Sequence, residues 1–326
     1  MSIIGDMKTS SVFCSMLFSA TLVAFLFSFS LDIASAASLK LEETQASYTH
    51  GDPAQGATVN LFCRLRAGRK TFVASGSGVF VSERGIILTN AHVAQFFLLE
   101  GKKGRVKGEC SVRTGSPARE SYIASILYVP SIWLEQNVSE ISSKLQKGSG
   151  KQDFALLYIT KAKKGSLPDA FPSLPMNMNA TAATNTPVTI LGYPTGDLDA
   201  KAIRKELKAL VATSTITEIE SFNGSGLPDV VTVASSSAGS HGISGGPILN
   251  ARDQIEAVVA IKPRAEDDRR IRGITILYID RELRTLTGLS LSSILSGDLE
   301  AIASTTQASI SAGIMMHLKE GLRRRK

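Results

Sequence analysis

Gly242-Ile243-Ser244-Gly245-Gly246-Pro247 places a serine among three glycines, and two chemistries use such a stretch. A bare G-x-S-x-G fits the nucleophile elbow of an α/β-hydrolase, which runs from a strand straight into a helix and has its acid and histidine later in the chain. Gly245-Gly246-Pro247 is a poor helix start, and the only later histidine is His317 in the tail. The elbow reading therefore fails on both counts. The other use is a tight loop, in which glycines let the backbone turn until two amides converge in front of the hydroxyl. A serine on such a loop needs a base from elsewhere in the chain.

Working back from the serine, Gly85-Ile86-Ile87-Leu88-Thr89-Asn90-Ala91-His92-Val93 sets a histidine just after an apolar strand. Between the two, Gln152-Asp153-Phe154-Ala155-Leu156-Leu157 sets an acid at the start of another. His92, Asp153 and Ser244 are the candidate catalytic residues. Asp197 and Asp199 are competing acids, but their Gly- and Pro-rich surroundings favour a turn. His50 and His317 stand outside any motif and are read as surface or packing residues, and His241 as bordering the serine loop.

Around these motifs short runs of β-branched and apolar residues alternate with Gly, Ser and charged breaks. The first series comprises 58–65, 71–81, 86–89, 122–129 and 154–159. The second comprises 188–191, 210–219, 230–234, 247–250, 257–261 and 274–279. Many short strands between turns indicate an all-β barrel or sandwich. Residues 161–186, with Lys-Ala-Lys-Lys-Gly and three prolines, read as a linker between the series. Helical spacing marks 131–146 as an inserted helix and the tail from about Leu289 to Leu322 as one or two amphipathic helices.

The order His, Asp, Ser, carried by Gly76-Ser-Gly-Val-Phe-Val81, Leu88-Thr-Asn-Ala-His-Val93, Asp153-Phe-Ala-Leu-Leu157 and Gly242-Ile-Ser-Gly-Gly-Pro247, resembles the chymotrypsin-fold peptidases, in particular their bacterial, HtrA-type branch. Leu191-Gly-Tyr-Pro194 is similar to the turn opening the family's second barrel, and the likeness spans about Gly56 to Asp280. It implies two six-stranded antiparallel barrels with the triad between them. On that frame residues 37–160 form the first barrel, 187–285 the second, and 286–326 a helical extension. Ser244 is then the nucleophile, His92 the base and Asp153 its orienting acid, with the Gly242 and Ser244 amides as oxyanion hole. The resemblance also makes Ala260, Ile261 and Lys262 the substrate-pairing strand, and by position Ala238 the pocket floor beside His241. Polypeptides are the implied partners, and the function a serine endopeptidase; the alternative is a non-catalytic homologue acting as an exported binding module. Ile243 stands where the pancreatic enzymes carry the acid that captures a new N-terminus, so that activation switch is not expected. The residues left after Arg284 are too few for the PDZ domain of typical HtrA proteins.

Composition agrees with an exported globular protein. The formal net charge of +7 comes from cations scattered along the chain, and aromatics make up 6% of residues. Neither supplies the basic stripe with interleaved aromatics that nucleic-acid binding uses. No C-x-x-C or H-E-x-x-H occurs, so no metal or other cofactor is signalled. Lys8, an uncharged run over 11–31 and Ala34-Ser35-Ala36 follow the order of a signal peptide, residues 1–36, with an uncleaved anchor over 11–31 as the competing reading. The mature chain keeps Cys63 and Cys110, an even pair that an oxidising compartment, periplasmic or extracellular, would join, two free thiols being the alternative. Protein recovered from an exported fraction is expected to begin at Ala37 on N-terminal sequencing; an intact Met1 in a membrane pellet would establish the anchor.

Overall fold

The computed structural model describes residues 45–46, 49, 51–102, 104–138, 150–178, 182–224, 226–234, 241–261 and 270–324. The expected signal segment, His50, Ala238 and Lys262 lie outside them. Strands β2 (Thr58–Ala67), β3 (Lys70–Ser82), β4 (Ile86–Thr89), β5 (Val106–Thr114), β6 (Arg119–Tyr128) and β7 (Ala155–Ala162) close into an antiparallel barrel in the order β2-β3-β4-β7-β6-β5. Inward alternation fills it with Val59, Leu61, Phe80, Ile87, Val112 and Leu157, all essentially buried.

The second ring consists of β8 (Pro187–Gly192), β9 (Leu210–Glu220), β10 (Val230–Val233), β11 (Pro247–Leu249), β12 (Ile255–Ile261) and β13 (Ile271–Thr275). Its order is β8-β9-β10-β13-β12-β11, and β11 returns to β8 through Ile248 opposite Ile190. A two-residue strand β1 (Gln45–Ala46) adds to the outside of β9. Val188, Ile190, Ile216, Val231, Ile248 and Ile271 fill this ring. Two closed six-stranded antiparallel barrels, the chymotrypsin-like architecture, are thus present. Closure gives every strand of each ring a partner on both sides over at least part of its length.

Three local outcomes differ from the sequence reading. The 106–114 segment, read as no strand, is β5: its inward positions Val106, Gly108, Cys110 and Val112 alternate correctly, but two of the four carry little apolar bulk. The run 274–279 is not one strand. β13 stops at Thr275, whose hydroxyl accepts from the Tyr278 amide at 3.1 Å and so caps helix α5 (Ile276–Thr287). Its β-branched residues disguise a helical face of Ile276, Ile279 and Leu283. The tail continues as α6 (Leu291–Ser296), α7 (Leu299–Ser309) and α8 (Ala312–Arg324). The inserted helix is described over Ser131–Asn137, and the rest of its expected span lies outside the described residues.

The tail packs on the first barrel. The Thr306 hydroxyl donates to the Leu127 carbonyl at 2.9 Å, and Arg84 donates to the Leu295 and Gly297 carbonyls at 2.9 and 2.8 Å. A second tie is Arg113 on β5, 1% exposed, whose guanidinium donates to Asn60 Oδ1 at 2.7 Å and to the carbonyls of Ile203 and Arg204 at 3.0 and 3.1 Å. Those carbonyls lie near the end of a short helix, Ala200–Lys205, between β8 and β9. The guanidinium also stacks on Phe62, 4.4 Å from the ring centroid. Desolvation pushes Arg113 down to about 10, which leaves it charged at neutral pH.

Cys63 and Cys110 face each other in the β2–β5 ladder and form a disulfide, with Cα atoms 4.1 Å apart. It closes a loop that contains β3, β4 and His92, so it restricts the unfolded chain over the acid–base half of the site. Cys63→Ser is expected to lower unfolding free energy by about 4 kcal/mol in the chain-entropy model, measured by urea titration. Reductant should destabilise the parent by a similar amount and leave the variant unchanged.

Candidate active site

His92 lies in a single helical turn, Ala91–Ala94, directly after β4. Its ring Nδ1 is 2.7 Å from Asp153 Oδ2, while its own amide donates to Asp153 Oδ1 at 2.9 Å. Both carboxylate oxygens are therefore engaged by the same histidine. The Asn90 side-chain amide donates to the Asp153 carbonyl at 2.9 Å and fixes the acid's backbone too. Asp153 is 6% exposed, so its charge is shielded from water and directed at one imidazole.

Ser244 arrives from the second barrel on the turn before β11. Its carbonyl accepts from the Ser77 amide at 2.7 Å, and the Ser77 hydroxyl donates to the Gly242 carbonyl at 2.8 Å. Ser77 sits in the middle of β3, and its own carbonyl accepts from the Thr89 hydroxyl, three residues before His92, at 2.7 Å. One buried serine of the first barrel thus clamps the Ser244 loop beside the strand that delivers His92.

Within the described residues the Gly245 and Gly246 amides donate to the Val259 and Ile243 carbonyls at 2.8 and 2.9 Å, whereas the Gly242 and Ser244 amides donate to no backbone carbonyl. Gly242 has φ +93° and is packed under the Tyr193 carbonyl and the Thr195 amide, which a Cβ would meet at 2.5 and 2.8 Å. The Thr195 amide and hydroxyl both donate to the His241 carbonyl, at 2.6 and 3.0 Å, and so set the plane of the 241–242 peptide.

The family model of the trypsin-like peptidase domain matches residues 76–261, more than half the chain and the span that carries all these groups. The chain belongs to the trypsin-like peptidase family. Among solved structures it is similar to the serine endoprotease from Yersinia pestis, at 18% identity and TM-score 0.46 over 74% of this chain and 67% of that one. It is also similar to the active form of the Rv3671c protease from M. tuberculosis, at 22% identity and TM-score 0.42 over 72% and 82%. No protein in the curated set matches it.

Of the expected substrate-side residues in this trypsin-like domain, Ala260 and Ile261 lie on β12. Val259 exchanges bonds with the serine loop, its amide donating to Gly246 at 2.9 Å. The ladder to β11 ends at Pro247 opposite Val258, so past Val259 that side of Ala260 and Ile261 has no strand partner among the described residues. His241 is exposed. Asp199 caps the 200–205 helix, accepting from the Lys201 and Ala202 amides, which takes it out of contention as the triad acid. No group of three or more His, Cys, Asp or Glu side chains among the described residues is placed to hold a metal ion, and no described helix is long and apolar enough to cross a membrane.

Sequence reasoning gave no role to Ser77, Asn90 or Thr195. Each acts through one polar side chain on a backbone group far away in sequence, which local pattern does not display. Gly245 is the least replaceable part of the loop. It has φ +87°, and a Cβ there would collide with the Ser77 carbonyl and the Thr89 hydroxyl. Gly245→Ala is expected to cost roughly 3 kcal/mol or more, through strain plus backbone overlap, and to abolish labelling of Ser244 by a fluorophosphonate in whatever folded protein remains.

Proposed function

We propose that the protein is an exported serine endopeptidase of the HtrA-type branch, hydrolysing peptide bonds through His92, Asp153 and Ser244. The observation that carries the proposal is the double bond of Asp153 to His92, with the Ser244 loop clamped through Ser77 against the same strand pair. A serine hydroxyl is a weak nucleophile at neutral pH, so it requires that imidazole. Asp153 would hold the Nδ1–H tautomer and leave Nε2 free to take the Ser244 proton as Oγ attacks the scissile carbonyl. The resulting oxyanion would sit between the Gly242 and Ser244 amides, each worth about a hundredfold or more in rate. Collapse expels the amine, which takes the proton from His92. Water then repeats the sequence on the acyl-enzyme and regenerates Ser244.

The substrate backbone would add as a strand along Ala260 and Ile261, the end of β12 left open beyond β11, and continue along Lys262. Ala238, the candidate for the pocket floor by sequence position, is no acid, which favours a small or apolar side chain before the cleaved bond, with an acidic one as the alternative that Lys262 and His241 would favour. The disulfide supports an oxidising, extracytoplasmic compartment, periplasmic or extracellular, which fits removal of residues 1–36.

Ser244→Ala and His92→Ala are each expected to remove activity by about a million-fold, because nucleophile and base act as a unit. Asp153→Asn should cost about ten-thousand-fold with little effect on folding. A fluorophosphonate probe with peptide mapping, a peptide-library cleavage profile and unfolding curves on all four proteins test this together. Folded parent protein that cleaves nothing in the library and is never labelled at Ser244 would make it a non-catalytic binding module.

A further inference from the structure

The residue before the triad acid is held in a conformation that its own chemistry does not favour. Gln152 has φ +58°, in the left-handed region that side-chain-bearing residues rarely adopt. Two groups of helix α5 hold it there. The Tyr278 hydroxyl accepts from the Gln152 amide at 2.9 Å, and Glu282 accepts from the Gln152 side chain at 3.0 Å. The Gln152 carbonyl in turn accepts from the Phe154 amide at 2.9 Å, which folds the chain tightly around Asp153.

The helix has a firm anchorage of its own. Arg281 pairs with Asp229, a buried carboxylate that also accepts from the Phe222 amide at 2.8 Å and from the Ser221 hydroxyl at 3.3 Å. Tyr278 is 1% exposed, with its ring edge-on to Phe222 at 4.9 Å between centroids and the Arg281 guanidinium 5.5 Å from its own centroid. Its phenol therefore has no rotational freedom to leave Gln152. At the other end of the same turn Lys151 reaches Asn223 at 3.3 Å. Every one of these partners belongs to the second barrel or to the helix that follows it, whereas Asp153 belongs to the first.

We propose that Tyr278 and Glu282 are positioning residues for the triad acid: through Gln152 they hold the Asp153 carboxylate against His92, so that helix α5 completes the catalytic machinery from outside both barrels. The inference rests on the peptidase reading for its kinetic consequence only. The placement of Asp153 against His92 has a signature independent of turnover, the low-field resonance of a hydrogen-bonded Nδ1 proton. With Tyr278→Phe the half-buried Gln152 amide loses its acceptor, the left-handed turn relaxes and the carboxylate moves off the imidazole. A misplacement on the order of 1 Å at such a group costs about a hundredfold in rate.

The test uses the disulfide-bonded mature chain with nitrogen-15-labelled histidine, as parent, Tyr278→Phe, Glu282→Ala and the double variant Gln152→Gly/Tyr278→Phe. Circular dichroism and unfolding curves establish that each is folded. Tyr278→Phe is expected to broaden or lose the low-field His92 signal and to lower kcat between about tenfold and a hundredfold with KM within about twofold. Glu282→Ala should act in the same direction more weakly, and it carries the test if Tyr278→Phe does not fold. Glycine at 152 adopts φ +58° unaided, so the double variant should recover the signal and at least about threefold of the lost kcat. A folded Tyr278→Phe that keeps both signal and kcat, or a double variant that recovers neither, overturns the proposal. A parent that shows the His92 signal but cleaves nothing sinks the peptidase reading alone, and the spectra still decide the positioning role.

Discussion

The site depends first on Ser77. Its amide and hydroxyl are spent on bringing the two barrels together, the amide to Ser244 and the hydroxyl between the Gly242 carbonyl and the Tyr193 amide, while its carbonyl accepts from Thr89 of the neighbouring strand β4. Each is a short bond in a fully buried setting, where an unmade partner would cost the full desolvation of a polar group. Exchanging this serine for alanine would remove the Ser77 hydroxyl from both the Gly242 carbonyl and the Tyr193 amide at once. Flanking glycines on β3 make the approach possible, since a Cβ at Gly78 would meet Ile87 at 2.7 Å and one at Gly76 would meet Val93 at 2.6 Å. Close passage of β3 against the histidine turn and the serine loop is thus one constraint.

The motifs of the candidate site were legible because their chemistry and their backbone needs fall within a few consecutive residues. At Gly242, Gly245 and Gly246 the turn passes where a Cβ would collide with neighbouring backbone, and only glycine satisfies that. His92 and Asp153 were readable because each adjoins an apolar run that becomes β4 or β7. The barrels were legible as short strands, and their closure through the family likeness. β5 escaped notice because its inner face spends Gly108 and Cys110 where bulk would betray a strand, and its outer face carries Arg113. That arginine looks solvated in sequence and is buried under the 200–205 helix. A charged residue that finds carbonyl partners some ninety positions away gives no local sign of it.

The helical tail shows the same limit on a larger scale. Its amphipathic spacing announces helices but says nothing about which surface they cover. Through Thr306 and Arg84 it is sewn to the first barrel, and through Arg281 and Asp229 its leading helix is sewn to the second. Asp280 adds a further stitch, pairing with Arg284 and capping α6 through the Leu291 amide. The tail is therefore a strap across both halves. The strand-to-helix change at Thr275 is what lets it start at the barrel interface: the Thr275 hydroxyl donates to the Pro228 carbonyl at 2.6 Å while it caps α5.

Two turns of left-handed backbone flank the reaction centre, and they are stabilised by opposite means. On the serine side Gly242 and Gly245 meet the requirement intrinsically, because positive φ costs glycine nothing and the surrounding atoms leave no room for a side chain. On the acid side Gln152 meets it extrinsically. Its side chain has room and partners, and the strain is offset by a tyrosine and a glutamate from a helix more than a hundred residues downstream. An intrinsic solution is written in the local sequence and survives changes elsewhere in the chain. An extrinsic one is invisible locally and makes the alignment of Asp153 conditional on the docking of α5. The serine loop can therefore be expected to form with the second barrel itself, while the acid reaches its final position only when the strap has closed over the interface.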